Sequence, residues 1–109
     1  MARRCELLQG TLDLLILKTL ALQPLHGVAV ADRIHQITGG VFEIGPGSLF
    51  PALHRLENKG FVQGEWGETE GGRRARFYTL TVSGRKQLSS ETRTWRRLTG
   101  AVESVLGAE

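Results

Sequence analysis

Apolar residues recur along the chain in short stretches that glycine and proline separate, and the first of these stretches predicts a buried helix. Thr11 is a good N-cap residue, and Asp13 would be favourable in the first turn. Leucine and isoleucine then cover nearly every face up to about Leu22, before Pro24 ends the helix. Because a helix that is apolar all round is buried all round, we expect a second chain to help cover it.

The next two stretches predict a pair of amphipathic helices joined by a glycine-containing link. Residues 27–38 place Val30, Ile34 and Ile37 on one stripe, and the glycines at 39–40 end the helix. Ser48 can cap a third helix that has Pro51 in its first turn and Gly60 at its end. Its apolar face is formed by Leu49, Leu53 and Leu56.

A hairpin and a long helix complete the predicted elements. Strands over residues 61–67 and 74–80 flank a tip at 68–73, whose glycines can adopt positive φ. Val62 and Trp66 fall on the same side of the first strand. The final helix starts at Thr81 or Ser83 and repeats apolar residues as a short heptad seam, which Glu91 interrupts.

Length and composition indicate one globular domain. The chain has 109 residues, of which 40% are hydrophobic and 23% are charged. No apolar run is long enough for a membrane-spanning helix, and the N-terminus does not resemble a secretory signal. Cys5 is the single cysteine, which excludes an intrachain disulfide and a cysteine-cluster zinc site and fits a cytoplasmic location.

The sequence contains no motif typical of an enzyme active site. His26, His35 and His54 lack the spacing of a metal site, and the glycines before Ser48 lack the P-loop lysine. Cys5 has no base near it in the sequence. We therefore expect no catalytic activity, no metal and no cofactor.

The order of three helices, a hairpin and a last helix is typical of a winged helix-turn-helix. We predict a mainly α (α+β) fold, with the DNA-binding unit over residues 1–81 and a C-terminal dimerisation helix over 82–109 in one compact body. The net charge of +3 is compatible with a polyanion. The cationic and polar side chains lie on the third helix and at the hairpin, or wing.

These side chains match what a DNA duplex offers. Arg55 can donate two hydrogen bonds to a guanine edge, and Asn58 could pair with adenine if it points inward. Lys59 suits phosphate, as do the wing arginines Arg73, Arg74 and Arg76. Ser48 and the first N–H groups of its helix predict a further anion site.

Three stretches also resemble the PadR family of bacterial transcriptional regulators. They are residues 7–17, LLQGTLDLLIL; residues 25–27, LHG; and residues 45–57, GPGSLFPALHRLE. The wing segment RFYTLTVSG at 76–84 is similar to theirs, and the resemblance covers about residues 4 to 90. Of these, the segment from Gly47 to Glu57 is the most specific.

The resemblance implies a homodimer on a palindromic operator, usually repressing and often released by a small molecule. By position, it implies DNA contacts from Ser48, Pro51, His54 and Arg55, together with Lys59 and the wing arginines. The family commonly has tyrosine where this chain has Val28 and Phe50. Any hydroxyl contact to phosphate is lost at those two positions.

The last helix predicts the dimer interface, because its apolar stripe would otherwise face water. The expected interface residues are Leu15, Leu88, Trp95, Leu98, Val102 and Val105. Trp95 has two interpretations: a packed tryptophan of the dimer core, or the aromatic wall of a cavity for a planar apolar effector.

A winged helix that binds protein instead of DNA is the alternative function, because a fold alone does not determine function. Arg55, Lys59 and the wing arginines favour DNA. Binding that weakens steeply with salt would separate the two hypotheses.

Overall fold

A computed structural model describes residues 9–109 and contains four helices and three strands within that range. In chain order these are α1 (Gln9–Leu22), β1 (Leu25–His26), α2 (Gly27–Ile37), α3 (Pro46–Asn58), β2 (Val62–Glu68), β3 (Arg74–Leu80) and α4 (Val82–Leu106). The predicted α+β winged helix is confirmed. The interpretation of Cys5, and the start of the 7–17 motif, lie outside the described residues.

The three strands form one antiparallel sheet in the order β1-β3-β2. Strand β1 is not among the elements predicted from the sequence. Its two residues pair with Tyr78 and Phe77 of β3, and such a short strand leaves no alternation in the sequence. The imidazole Nδ1 of His26 also caps α2 by accepting a hydrogen bond from the Ala29 N–H at 3.4 Å.

The core lies where α1, α2 and α3 meet the sheet. The predicted leucine face of α3 is confirmed, since Leu49, Leu53 and Leu56 are all buried. On α2, Val30 and Ile34 are buried, but Ile37 is 57% exposed at the end of the stripe. The buried apolar residues of α1, the sheet and these helices form one continuous cluster, which fixes the orientation of α3.

Two predicted helix starts are wrong. Thr11 lies inside α1. Helix α3 begins at Pro46, with Gly45 as an N-cap that has no side-chain hydrogen bond, so Ser48 is the third helical residue and not the cap. The physical reason is that proline at the first helical position already has the required φ and lacks only an N–H that would be free anyway. Pro51 consequently lies beyond the first turn.

Helix α4 begins at Val82, with Thr81, one of the two predicted start residues, as its N-cap. The Thr81 hydroxyl oxygen accepts a hydrogen bond from the Gly84 N–H at 3.0 Å. The helix packs along α1 at its start, where Leu88 contacts the core. From Arg93 onward nearly every side chain is exposed. The helix therefore extends beyond the body, in a molecule that measures 57 × 36 × 22 Å. The predicted boundary between residues 81 and 82 coincides with the start of α4 and stays a prediction.

Candidate nucleic-acid interface

The outer face of α3 presents polar side chains because its leucine face is held in the core. Pro51, His54 and Asn58 follow one another at spacings of three and four residues, and all three are exposed. Ser48 and Lys59, at the two ends of the helix, are exposed as well. Five of the predicted DNA-contact residues thus lie on the solvent side of one rigid element.

The start of α3 offers fewer free donors than the sequence indicated. Pro46 has no N–H, and the Ser48 N–H is donated to the Gly45 carbonyl oxygen at 3.1 Å. The Leu49 N–H reaches the same oxygen at 3.0 Å. An anion at this end of the helix would therefore depend mainly on the Ser48 hydroxyl and the Gly47 N–H.

Arg55 points away from the exposed face of α3 and towards α1. Its Nη2 donates to Asp13 Oδ1 at 2.5 Å, and the side chains are 27% and 10% exposed, respectively. Its Nε is buried and has no hydrogen-bond partner within residues 9–109. In this conformation Arg55 joins α3 to α1, and a bidentate contact to guanine would require this ion pair to break. The sequence signal for this contact was Asp13 itself, a carboxylate within a mostly apolar helix.

Glu57 joins α3 to both wing strands. One carboxylate oxygen, Oε2, accepts a hydrogen bond from Arg76 Nη2 at 2.6 Å and another from the Gly64 N–H at 3.2 Å. The bond from Arg76 holds the pKa of Glu57 below its usual range, and the same contact raises the pKa of Arg76. A Cβ at Gly64 would collide with the Arg76 guanidinium, so a larger residue there would force this side chain out of its present position.

The wing carries a cluster of one aromatic ring and two guanidinium groups. The Arg74 and Arg76 guanidinium carbons lie 4.5 Å and 5.8 Å from the centre of the Trp66 ring. Trp66 shares a side of the sheet with buried Val62, as predicted, but it is 59% exposed. Sequence reasoning missed this cluster, although pairing of Trp66 with Arg76 follows once the hairpin register is known.

Arg73 lies at the tip between the strands and is exposed. Its backbone N–H donates to the Thr69 hydroxyl at 3.2 Å, which closes the turn. Of the two tip glycines, Gly72 has a positive φ of 79°, and Gly71 does not. The predicted need for glycine therefore applies to one position.

Four of the predicted dimer residues, Trp95, Leu98, Val102 and Val105, form an exposed apolar stripe on α4. Trp95 is 41% exposed, and a shallow apolar groove further along the helix is lined by Ala101, Val102, Val105 and Leu106. Leu15 and Leu88 are half-buried within the chain. Glu91, at the interruption of the seam, accepts a hydrogen bond from Gln87 at Oε1 (3.1 Å), whereas its Oε2 is buried with no partner in the described part of the chain.

Across residues 9–109 no three acidic, histidine or cysteine side chains converge to hold a metal ion. No helix in that range is long and apolar enough to cross a membrane.

Comparison with known proteins identifies the family. The model of the transcriptional regulator PadR-like family matches residues 16–90. The chain belongs to the PadR family. The resemblance predicted from the sequence is confirmed, and so is the prediction that the protein is a transcriptional regulator and not an enzyme.

Individual relatives match most of this chain. A 37.1 kDa transposon protein from Streptomyces fradiae is 42% identical over 90 residues, which are 83% of this chain but only 24% of that protein. A transcriptional regulator from Mycobacterium tuberculosis is 35% identical over 68 residues, covering 62% of this chain and 60% of the regulator. The chain thus spans about a quarter of the first of these relatives and three fifths of the second.

Solved structures show the same fold at similar size. A PadR family regulator from Eggerthella lenta superimposes with a TM-score of 0.79 at 26% identity, covering 93% of this chain and 86% of that one. A protein from Streptococcus mutans gives a TM-score of 0.83 at 24% identity over 94% and 92% of the two chains. The superposition with these structures extends past residue 90 and therefore includes much of α4.

Proposed function

We propose that this PadR-family regulator binds a palindromic DNA operator as a homodimer in the cytoplasm and represses transcription. The observation that carries the proposal is the joining of α3 to the wing through Glu57. That contact holds the exposed polar face of α3 and the cationic side chains of β3 in a fixed relation. A rigid helix with donors, flanked by a basic wing, fits a major groove and the adjacent backbone.

The side chains divide by the part of DNA that each can contact. His54 and Asn58, on the exposed line of α3, contact base edges in the major groove. Ser48 and Lys59, at the ends of the helix, and Pro51, within it, contact the sugar-phosphate backbone. Arg73, Arg74 and Arg76 bind phosphate or the minor groove from the wing. Arg55 acts as a positioning residue, because its guanidinium is engaged by Asp13.

The proposed dimer interface is the exposed stripe of α4 together with α1. Trp95, Leu98 and Val102 each expose two fifths of their surface or more. Burial against a second copy would remove this apolar area from water, at roughly 25 cal/mol per Å². Two copies of α3 held in this way would act as recognition helices, which contact DNA half-sites about 34–36 Å apart.

Trp95 also supports a regulatory role. A planar apolar molecule could stack on its indole between two copies of α4 and change the spacing of the recognition helices. DNA affinity would then fall by a population shift, because the ligand binds one dimer geometry more tightly than the other. We propose this release mechanism as the counterpart of repression.

Selection of bound fragments from a random duplex pool tests the core of the proposal. We expect enrichment of an inverted repeat, and we expect affinity for it to fall steeply as salt rises. A promoter carrying the selected site should lose expression when the protein is present. Recovery of no preferred sequence, or binding insensitive to salt, would favour the alternative of a winged helix that binds protein.

Substitutions on α3 and the wing separate base reading from phosphate binding. Asn58→Ala should cost about 1–3 kcal/mol on the selected site and little on random duplex. Lys59→Ala and Arg73→Ala should weaken both duplexes alike and lower the salt slope by about one each. Arg97→Ala, which removes an exposed charge far along α4, is the matched control. An equal loss from Arg97→Ala would show that only net charge matters.

A further inference from the structure

We propose that Trp66 is a positioning residue for DNA binding, which holds the Arg74 and Arg76 guanidinium groups as a pre-ordered pair that contacts backbone phosphates. This inference rests on the proposed DNA-binding function. It assigns a role to an aromatic residue that lies outside the polar face of α3 and the charged residues of the wing.

The exposure of Trp66 is the first observation. The side chain is large and apolar, yet it is 59% exposed and lies beyond the buried part of the sheet. The same strand buries Val62, which faces the same side four residues earlier. Trp66 therefore contributes little to the core, and its contacts are with Arg74 and Arg76.

The two arginines are restrained to different degrees. Arg76 is held at one edge by Glu57 and lies at 5.8 Å from the ring centre. Arg74 is exposed and lies closer to the ring, at 4.5 Å. An arginine side chain loses considerable rotamer entropy when it is fixed, so a ring that already restrains Arg74 lowers the cost of binding an anion. Stacking uses the face of the guanidinium, so it leaves free for phosphate oxygens the N–H edges of Arg74 and the part of the Arg76 guanidinium that Glu57 does not occupy.

The location of the cluster favours DNA phosphate as the partner. Hairpin register places Trp66, Arg74 and Arg76 on the side of the sheet that packs against α3. Glu65 is on the opposite side, whereas Glu68 pairs with Arg74 at the end of the strand. Arg74 and Arg76 thus lie beside α3, where the backbone flanking an occupied major groove would run. Two carboxylates share this side of the sheet: Glu57 is bound to Arg76, and Glu68 lies across from Arg74.

A double-mutant cycle between Trp66 and Arg74 tests the inference. DNA affinity is measured for the wild type, Trp66→Leu, Arg74→Ala and the double variant, on the selected operator and on random duplex. We expect Trp66→Leu to weaken both duplexes about tenfold in the wild-type background and less than about twofold when Arg74 is already alanine. Trp66→Phe keeps an aromatic face and should recover most of the affinity. Gln63→Ala, on the opposite side of β2, should have no effect.

Each outcome has a definite meaning. Equal losses from Trp66→Leu in both backgrounds would overturn the inference, because Trp66 would then contact DNA itself or act through the fold. An unchanged affinity for Trp66→Leu would also overturn it. In both cases the wild type still binds DNA, whereas a wild-type protein with no salt-dependent binding would instead refute the proposed function. Thermal unfolding of Trp66→Leu within about 2 °C of wild type excludes a general loss of stability.

Discussion

Asp13 is a buried carboxylate in a mostly apolar helix, and its partner is Arg55. Removal of its charge leaves a largely buried guanidinium without a counter-ion, which is costly. We expect Asp13→Asn to lower the free energy of unfolding by about 2–3 kcal/mol, measured by urea denaturation.

Asp32 provides the control for this prediction. It is exposed on α2, so Asp32→Asn should change stability by less than about 0.5 kcal/mol. Similar small effects for both variants would mean that the ion pair with Arg55 contributes nothing net. The Arg55 guanidinium would then be free to turn towards DNA.

Glu57 gives the wing contact a defined pH dependence. Its pKa is lowered in the folded state by the hydrogen bond from Arg76, so its contribution to stability is full above the unfolded value of about 4.3. The contribution is lost as pH falls through the lower folded value. We expect Glu57→Gln to be less stable than wild type by about 1 kcal/mol at pH 7, and the difference to shrink below about pH 4.

Thermal unfolding of both proteins from pH 7 to pH 3 measures this difference. Glu65→Gln, an exposed change on the other side of β2, should stay within about 0.5 kcal/mol of wild type. A difference for Glu57→Gln that is constant with pH would show that the carboxylate is not the group that titrates.

At the scale of single residues, the sequence predicted which positions of α3 face solvent but not where each charge finds its partner. Leucine spacing alone places His54 and Asn58 on the outside. The inward turn of Arg55 depends on Asp13, 42 residues away, and only the packed structure brings them together. Long side chains such as arginine can reach either side of a helix, so periodicity cannot assign them.

At the scale of elements, Gly84 couples α4 to the loop after α3. A Cβ there would collide with the Phe61 carbonyl oxygen and lie 2.6 Å from Leu80 Cδ1. Because the first obstacle is backbone, it cannot rotate away as a side chain could. We expect Gly84→Ala to destabilise the protein by about 2 kcal/mol or more, measured by thermal unfolding.

Gly100 in the same helix is the matched control. Nothing lies within 4 Å of a Cβ built at this position, and alanine is the better helix former. Gly100→Ala should therefore be neutral or stabilising by up to about 1 kcal/mol. A loss of stability in Gly100→Ala equal to that in Gly84→Ala would attribute the effect to the helix and not to the contact with Phe61.

Elements in which the apolar pattern repeats over many residues were predicted within a few residues of their true ends. Elements too short to show such a repeat were not predicted. Helix α2 and strand β3 follow the pattern closely. Strand β1 is too short to show alternation, and its pairing is supplied by β3. The start of α3 was misplaced because Ser48 and Pro46 both fit a helix start, and local preference cannot choose between them.

At the scale of the whole molecule, the apolar stripe of α4 predicts that assembly is concentration-dependent. Trp95 lies on the stripe, and its truncation in both copies should weaken the dimer about thirtyfold or more. Sedimentation equilibrium over micromolar concentrations measures the change. Arg97→Ala, on the opposite side of the same helix, should leave the association constant unaltered. A Trp95→Ala protein that stays fully dimeric at low micromolar concentration would contradict the proposed interface.

The bridge from Glu57 to Gly64 and Arg76 means that the two parts of the proposed DNA-binding surface, α3 and the wing, are expected to move together as one unit. A small rotation of α3 would carry the hairpin with it, so we expect the proposed groove and backbone contacts to be gained or lost together. A mutation that reorients α3 would therefore also reorient the wing. We expect this coupling to hinder a gradual change of target sequence and to favour an all-or-none release of DNA.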